Sequence, residues 1–340
     1  MPIPNTKKVK DNVKHWNFLL YADSGAGKTV YALKKGGKRI LVMAMGAEDD
    51  GLMSAARLGT EADQIETNEW EDVMQANNDL WSDEGLAWLQ ENYDILVIDS
   101  LTEMDSMIMR YILRMTREAK IAKDTDPDQP WIDDYGKRNI ILEKFVRSMN
   151  DLPINVFYTA LPRIAEDPDK KEFLVPAIGG NKPTDFRFAM KIVSLMTSYG
   201  YMRVEEVTQP DPTDAEPERK KKVKQRVIYW EDTSFSKGKD RTVSLTPKTV
   251  NFNIQKMAAC IEGKIDNTGK PKNRTAAEPA KKAAAPAVKK APAQASPAPV
   301  KAVESKPEPE PTPEPETKPA ENAPEGDSDD NAIELVTAEP

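Results

Sequence analysis

Residues 22–29, which read ADSGAGKT, have the composition of a phosphate-binding loop. Such a loop, the P-loop, needs backbone amides that wrap a phosphate, a lysine that reaches the β- and γ-phosphates, and a hydroxyl that ligates magnesium. Gly25 and Gly27 permit the tight turn, Lys28 supplies the cation, and Thr29 supplies the hydroxyl. We therefore predict that ATP and Mg²⁺ are the cofactors. The predicted nucleotide-binding residues are Asp23, Ser24, Gly25, Ala26, Gly27, Lys28 and Thr29.

The loop departs from the usual pattern at its first position, where Ala22 replaces glycine. The chain leaves the preceding strand there, and the geometry is less demanding than at Gly27, so we expect a methyl group to be tolerated. The alternative is a glycine-containing strand-helix turn that binds nothing. A strand-like run before the loop, a helix-like segment after it and a second strand-like run favour the phosphate-binding interpretation.

A second candidate for the metal site is Asp99, the acid that ends the apolar run DILVIDS at residues 94–100. A buried strand that ends in a carboxylate can hold magnesium through a water molecule. Four apolar residues followed by Asp also occur by chance, but the combination with the P-loop strengthens the prediction. The next residue is Ser100, so the chain lacks an adjacent acid that would polarise the attacking water.

The acid that orients this water must therefore come from elsewhere in the chain. Glu48 follows the second strand-like run, at the sheet edge where ligands collect in open α/β folds. We predict Glu48 for this role, with Asp49 as the second choice and a solvated acidic loop as the alternative. Glu103 is interpreted as a charge at the start of a helix.

Further candidates come from later in the chain. Thr159 ends the run NVFYTA and could contact the γ-phosphate, or it could cap the next segment. The group SFSKGKDR contains Lys237, Lys239 and Arg241, which could stabilise transition-state charge in a neighbouring subunit or form a solvated basic turn. Lys239 and Arg241 are the predicted catalytic cations.

The pattern of apolar runs predicts the fold that positions these residues. Short β-prone runs at Asn17–Tyr21, Arg39–Met45, Asp94–Asp99 and Asn155–Thr159 alternate with helix-compatible stretches. This alternation predicts an α/β fold with a mainly parallel sheet flanked by helices. Gly36 and Gly37 are predicted to end the first helix. Further helices are predicted at Ser100–Arg117, with an apolar stripe that includes Met115, and at Asp134–Met149. After Ala189 we predict antiparallel strands at KIVSLMTS, YMRVEEVTQ and QRVIYWED.

Composition sets the limits of the folded domain. From about Lys264 the chain has no aromatic residue and is rich in Ala, Pro, Lys and Glu, so we predict a disordered tail at 264–340. The tail is basic from Lys270 to Lys301 and acidic from Ala302 to Pro340. We predict an N-terminal extension at 1–14 and an ATPase domain at 15–263. The net charge of −8 argues against a protein that coats nucleic acid by bulk charge.

The rarer residue types exclude several classes of site. The one cysteine, Cys260, rules out an internal disulfide and a cysteine-cluster zinc site, and we expect it to pack in a helix. The one histidine, His15, makes a histidine-based metal centre improbable, and we interpret it as a surface residue. We find no membrane span and no signal peptide, which predicts a cytoplasmic protein. The stretch Gln129–Asn139 contains Trp131, Tyr135, Lys137 and Arg138, which suits either stacking with bases or the anchoring of a helix.

With these residues assembled, the chain resembles the RecA-like P-loop ATPases encoded by bacteriophages, over about residues 15–250. The resemblance rests on ADSGAGKT, Glu48, ILVIDSLTEM, the segment from Trp131 to Gly136, FYTALPR and KGKDR. It implies that Lys28 and Thr29 bind nucleotide and magnesium, that Asp99 is the Walker B acid and that Glu48 orients water. Lys239-Asp240-Arg241 is similar to the Lys-Asn-Arg motif of RadA-type proteins, which implies cations that act across an oligomer interface.

The resemblance also implies a function. We expect a magnesium-dependent ATPase that forms a homo-oligomer and acts on single-stranded DNA in phage recombination or replication, with recombination or replication proteins binding to the tail. The alternatives are a helicase loader or packaging-type ATPase, and a nucleotide-binding scaffold that does not hydrolyse ATP. Met190-Lys191 stands where related chains often carry Phe-Asp, so the DNA-contact loops are not assigned.

Overall fold

A computed structural model describes residues 15–46, 49–180, 182–210 and 220–272. Eleven strands lie in these ranges: β1 (Asn17–Ala22), β2 (Ile40–Met45), β3 (Asp63–Thr67), β4 (Ile95–Asp99), β5 (Asn155–Ala160), β6 (Pro162–Glu166), β7 (Glu172–Pro176), β8 (Ser198–Pro210), β9 (Lys220–Tyr229), β10 (Lys239–Asp240) and β11 (Lys248–Val250). The helices in the same ranges are α1 (Lys28–Ala32), α2 (Asp49–Arg57), α3 (Trp70–Trp81), α4 (Asp83–Asn92), α5 (Leu101–Ala122), α6 (Ile132–Asn150), α7 (Arg187–Ser194) and α8 (Ile254–Ile261).

The central sheet has the strand order β11-β9-β8-β1-β5-β4-β2-β3, and β10 pairs with β8. Strands β1 to β5 pair in parallel, and β8 joins β1 in parallel. β9 then pairs with β8 in antiparallel fashion, as β11 does with β9. The predicted α/β fold, a mainly parallel sheet flanked by helices and extended by antiparallel strands at one side, is confirmed. β6 and β7 form a separate hairpin.

Both faces of the sheet are buried at β1, β2, β4 and β5, which explains why these parallel strands are continuous apolar runs. In β1, Leu19 and Tyr21 contact one core cluster, and Phe18, Leu20 and Ala22 contact the other. This alternation follows from the two-residue period of a strand. Helices α3, α4, α5, α6 and α7 cover the first face, and α1, α2 and α8 cover the second.

The strand predicted at KIVSLMTS is wrong, because Lys191 to Ser194 belong to helix α7. Ala189, Ile192 and Val193 are buried, whereas Lys191 and Ser194 are exposed. This spacing is helical and gives one buried stripe, rather than the alternation of a strand. The segments YMRVEEVTQ and QRVIYWED contribute to β8 and β9, as predicted.

Two predictions about helices also need correction, one about where α1 ends and one about the apolar stripe of α5. α1 ends at Ala32, before Gly36 and Gly37, and the carbonyl group of Leu33 accepts a hydrogen bond from the Thr60 hydroxyl. α5 has the predicted apolar stripe from Leu101 to Ile112, but Met115 is 70% exposed. A helix of this length spans ~33 Å, whereas the strand β4 before it spans only ~17 Å. The last turns of α5 therefore extend past the sheet.

The fold continues beyond the predicted domain end at residue 263. Ile265 forms a bridge with Pro271, and the side-chain amide of Asn267 donates to the carbonyl of Thr246 at 2.7 Å. The predicted N-terminal extension and the rest of the predicted tail, residues 273–340, lie outside the described residues. Within the described ranges, every helix is too short or too polar to span a bilayer.

Candidate nucleotide site

The P-loop connects the end of β1 to the start of α1 at the carboxyl edge of the sheet. Gly25 and Gly27 adopt positive φ values of 76° and 93°, which only glycine reaches without strain. The amide of Ala26 donates to the carbonyl of Asp23 at 3.2 Å and closes the turn. Ala22 is the last residue of β1, and its methyl group is fully buried in the core. A side chain at this position therefore packs against the core, which is why the loop does not need glycine there.

Lys28 lies at the position expected of the phosphate cation. Its Nζ donates to the carbonyl groups of Ala22 at 2.8 Å and Asp23 at 3.2 Å, so the ammonium group stays against the loop. Helix α1 has only five residues, which limits the contribution of its dipole. The backbone amides and Lys28 are therefore the phosphate-binding groups that the loop itself supplies.

The two predicted metal-site residues are in direct contact. The Oγ1 atom of Thr29 donates to Oδ2 of Asp99 at 2.6 Å. Thr29 lies in α1, which follows β1, and Asp99 ends β4, and β5 lies between these two strands. Thr159, at the end of β5, donates through its hydroxyl to Oδ1 of Asp99. Each oxygen of this buried carboxylate therefore has a hydroxyl partner, which fixes the orientation of the group. Hydroxyl and carboxylate oxygens are the ligands that Mg²⁺ prefers.

The residues around this pair leave space for a ligand. A cavity of about 550 Å³ opens over the P-loop, and its lining includes Ser24, Lys28, Thr29, Ser54, Ser100 and Arg226. This volume is typical of small-molecule sites. Gly51 of α2 packs directly against Thr29, because a Cβ at this position would lie 2.9 Å from the threonine Oγ1. The start of α2 is therefore next to the predicted metal site.

A larger groove of about 680 Å³ lies near the edge strand β3 and is unsuitable for phosphate. Its lining includes four acidic residues, Glu66, Asp72, Asp79 and Glu84, and no basic residue. Phosphate binds where cations or oriented amides face it. The cavity over the P-loop is therefore the candidate nucleotide site.

Two contacts at this site were not predicted from the sequence. Arg226 of β9 donates from Nε to the carbonyl of Ala26 at 3.0 Å. The hydroxyl of Tyr201 on β8 donates to Oδ2 of Asp23 at 3.0 Å. Burial, together with this hydrogen bond, raises the pKa of Tyr201 to about 12. The sequence has a cation at every second position from Lys222 through Lys224 to Arg226, which indicates one face of a strand. This pattern does not indicate which loop that face approaches.

The predicted catalytic cations Lys239 and Arg241 do not lie at this P-loop. Lys239 pairs with Tyr199 at the start of β8, at the opposite edge of the sheet from the P-loop, and Arg241 donates to the carbonyl of Ser194 at 2.9 Å. Asp240 stabilises this turn by accepting from Ser198, Thr242 and the amide of Leu245. Burial opposes the ionisation of Asp240, but these hydrogen bonds outweigh it and lower the pKa of the carboxyl.

The structure describes only some of the acids that the sequence predicts near this site. Glu48 lies outside the described residues, and only the backbone of Asp49 is placed, at the start of α2. Glu103 lies in the first turn of α5, as predicted, and pairs with Arg110 at 2.8 Å. Ser100 caps the same helix by accepting from the amide of Glu103 at 3.3 Å.

Two other sequence candidates have structural roles. In Gln129–Asn139, Arg138 is buried and pairs with Asp105 at 3.3 Å, and buried Asp134 pairs with Lys120 at 3.0 Å. These contacts favour the anchoring of helix α6 over base stacking. Cys260 is buried in α8, and its Sγ donates to the carbonyl of Ser244 at 3.1 Å, so the expected packing role is confirmed.

The fold and the site together define a P-loop nucleotide-binding protein of the α/β class. Residues 14–242 match the family described as AAA domain, and this match covers more than half of the chain. The chain therefore belongs to the AAA-domain family of P-loop NTPases.

The comparisons with individual proteins add little to this assignment. No curated protein matches the chain. Among solved structures, it is similar to the flagellar accessory protein FlaH of Methanocaldococcus jannaschii, with 10% identity and a TM-score of 0.28 over 63% of this chain and 76% of that chain. A similarity this low does not support a conclusion about function.

Proposed function

We propose that this protein is a magnesium-dependent ATPase that forms a homo-oligomer and acts on single-stranded DNA in phage recombination or replication. The observation that carries the ATPase part is the hydrogen bond of 2.6 Å between Thr29 Oγ1 and Asp99 Oδ2, beside Lys28 of the P-loop. Thr29, through its hydroxyl, and Asp99, through a water molecule, would hold Mg²⁺ at this site.

The residues of the site fit Mg²⁺ bound together with a nucleotide. No group of three metal-ligating His, Cys, Asp or Glu side chains occurs in the part of the chain that the structure describes. This suits Mg²⁺, which usually keeps several waters and is held by one or two protein groups and the substrate phosphates. When bound, the metal neutralises charge that develops on the phosphates. Thr159 keeps Asp99 oriented, and Lys28 holds the β- and γ-phosphates.

Hydrolysis requires a group that orients the attacking water. We assign this role to Glu48, with Asp49 as the second choice. The contact between Gly51 and Thr29 supports the assignment, because it brings the start of α2 next to the metal site. Ser100 supports it indirectly, because the residue after Asp99 is a helix cap and offers no carboxylate.

The positions of Lys239 and Arg241 support a role in an oligomer. Both side chains are exposed, and they lie across the sheet from the P-loop of the same subunit. They can therefore reach phosphates only in a neighbouring subunit, where a cation supplied in trans can raise the hydrolysis rate by about 10³ to 10⁵.

The action on DNA rests on the sequence resemblance. The exposed cations Lys222 and Lys224 on β9 are consistent with it, because they lie on one face of an extended ribbon. We propose that recombination or replication proteins bind to the tail. We also propose that the protein acts in the cytoplasm of the host cell.

The experiment that tests the proposal is ATP hydrolysis with and without single-stranded DNA, in the wild type and in Lys28→Ala. We expect hydrolysis that DNA stimulates and that Lys28→Ala abolishes, and DNA binding that weakens steeply with salt. Hydrolysis that is indifferent to DNA would favour a helicase loader or packaging-type ATPase.

A nucleotide-binding scaffold is the second candidate, because Ser100 stands where many ATPases carry a second acid. Binding of ATP without turnover in any condition would favour the scaffold over the ATPase. Absence of ATP binding by the wild type would overturn both.

A further inference from the structure

We propose that Arg226 is a second phosphate cation of the nucleotide site, supplied by β9 of the same subunit. This inference rests on the proposed binding of ATP and adds a residue that lies almost two hundred positions beyond the P-loop. The ligand class is a nucleoside polyphosphate, which carries the negative charge that a guanidinium group recognises.

The side chain of Arg226 lies against the part of the P-loop that faces the cavity. Its Nε donates to the carbonyl of Ala26 at 3.0 Å, and its Nε and Nη2 atoms lie 2.9 and 3.0 Å from the position that a Cβ on Gly27 would take. Arg226 also lines the cavity over the loop, together with Ser24, Lys28 and Thr29. The guanidinium group and the ammonium group of Lys28 therefore line the same space.

The backbone of Arg226 is held in place by two elements. Its amide donates to Oδ1 of Asn251 at 3.0 Å, and its carbonyl accepts from the amide of Asn251 at 2.8 Å. On the other side, Arg226 pairs with Val204 in the β8-β9 ladder. The backbone of Arg226 is therefore fixed beside the loop, and the hydrogen bond from Nε to Ala26 restricts the side chain before a ligand binds.

The guanidinium group retains most of its hydrogen-bonding capacity. Arginine has five N–H donors, and among the described residues only the Nε–H of Arg226 has an acceptor, the Ala26 carbonyl. The side chain is exposed toward the cavity rather than packed in the core. Its Nη groups can therefore bind phosphate oxygens while Nε keeps its contact with the loop, and such a fork can bind phosphate with two parallel hydrogen bonds.

A purely structural role is the competing explanation, in which Arg226 only supports the P-loop through Ala26. The two roles differ in what they require of the side chain. Support of the loop needs one hydrogen-bond donor near the carbonyl of Ala26, whereas phosphate binding needs a positive charge. Arg226→Gln keeps a donor and loses the charge, and Arg226→Lys keeps the charge.

The test is the affinity for Mg-ATP and for adenosine in the wild type, Arg226→Gln, Arg226→Lys and Arg226→Ala. Lys248→Ala is the matched control, because Lys248 is an exposed cation on the neighbouring strand β11 and does not line the cavity. From the typical strength of a hydrogen bond to a charged group, we expect Arg226→Gln to weaken ATP binding about 10- to 100-fold. We expect Arg226→Lys, which keeps the charge but loses the two parallel hydrogen bonds, to lose less affinity than Arg226→Gln. Adenosine binding and the binding of ATP by the control should change little.

Several results would overturn the inference without affecting the proposed function. One is a wild type that binds ATP together with an Arg226→Gln variant that binds it equally well. Another is an Arg226→Gln variant whose affinity for adenosine falls as far as its affinity for Mg-ATP, because the loss would then not depend on the phosphates. If Arg226→Ala fails to fold, the Arg226→Gln and Arg226→Lys variants still distinguish phosphate binding from support of the loop. A wild type that binds no ATP would overturn the proposed function and this inference together.

Discussion

A buried ion pair between α5 and α6 gives the sharpest prediction about stability. Lys120 and Asp134 are fully inaccessible to solvent, and the Nζ and Oδ2 atoms are 3.0 Å apart. Lys120 also donates to the carbonyl of Gln129 at 2.8 Å, and its Nζ lies 5.2 Å from the centre of the Trp131 ring. Lys120→Met keeps much of the side-chain volume but leaves the carboxylate of Asp134 buried without this partner.

The expected loss follows from the burial of the pair. Removing one partner of a buried ion pair typically lowers the free energy of unfolding by about 3 to 5 kcal/mol. For a domain of this size, such a loss corresponds to a decrease in Tm of roughly 6 to 20 °C. Replacing both partners with apolar residues is often neutral, so Lys120→Met/Asp134→Leu should regain most of the loss.

The pH dependence of this loss has a definite sign. Burial opposes the ionisation of Asp134, but the hydrogen bond from the Trp131 amide and the contact with Lys120 outweigh it and lower the pKa of the carboxyl. A lowered pKa stabilises the fold above the unfolded value of about 4, and this contribution disappears as the pH falls through the folded value. Without Lys120 the pKa of Asp134 rises, so the variant should lose less stability near pH 5 than at pH 7.

Urea unfolding followed by circular dichroism at both pH values measures these effects. Lys123→Met is the matched control, because Lys123 is exposed and its Nζ lies 5.1 Å from the same ring, which predicts a loss of at most about 1 kcal/mol. A loss below about 1 kcal/mol in Lys120→Met, or a double variant no more stable than the single one, would refute the reasoning. The expected result would assign Gln129–Asn139 to the anchoring of α6.

Three further predictions concern other sites. Asp99→Asn should raise the Mg²⁺ concentration needed for half-maximal ATP binding about 10- to 100-fold, measured by titration, as expected for a group that acts on the metal through water. Asp240→Asn should lower the free energy of unfolding by about 1 to 3 kcal/mol at pH 7. Because the pKa of Asp240 is lowered, this difference should shrink in acid unfolding below about pH 4. Cys260, whose pKa burial raises, should react with iodoacetamide far more slowly in the native protein than in urea, and equal rates would contradict its burial.

The parts of the fold and site that the sequence predicts are those encoded by local patterns. The P-loop and Asp99 follow from short motifs next to apolar runs, and the order of strands and helices then brings Thr29 and Asp99 together. The period of the apolar residues also predicts most of α5 and α6. It fails at Met115, because a local pattern does not show where the sheet beneath a helix ends.

The parts that the sequence does not predict depend on distant contacts. Arg226 and Tyr201 reach the P-loop only because β8 lies beside β1 and β9 lies beside β8, which no motif in either segment indicates. The strand prediction at KIVSLMTS fails because the first half of the segment lies in α7, where Ile192 and Val193 are buried on one helical face.

The most direct test of the central claim, that the hydroxyl of Thr29 and the carboxylate of Asp99 share one metal ion with the nucleotide, is the effect of Mg²⁺ on ATP affinity in Thr29→Val. Calorimetry of the wild type should show tighter binding of ATP with Mg²⁺ than with EDTA. We expect Thr29→Val to bind ATP in EDTA as the wild type does, and to lose most of the gain from Mg²⁺, whereas Thr29→Ser keeps it. A Thr29→Val variant with the full gain from Mg²⁺ would contradict the account.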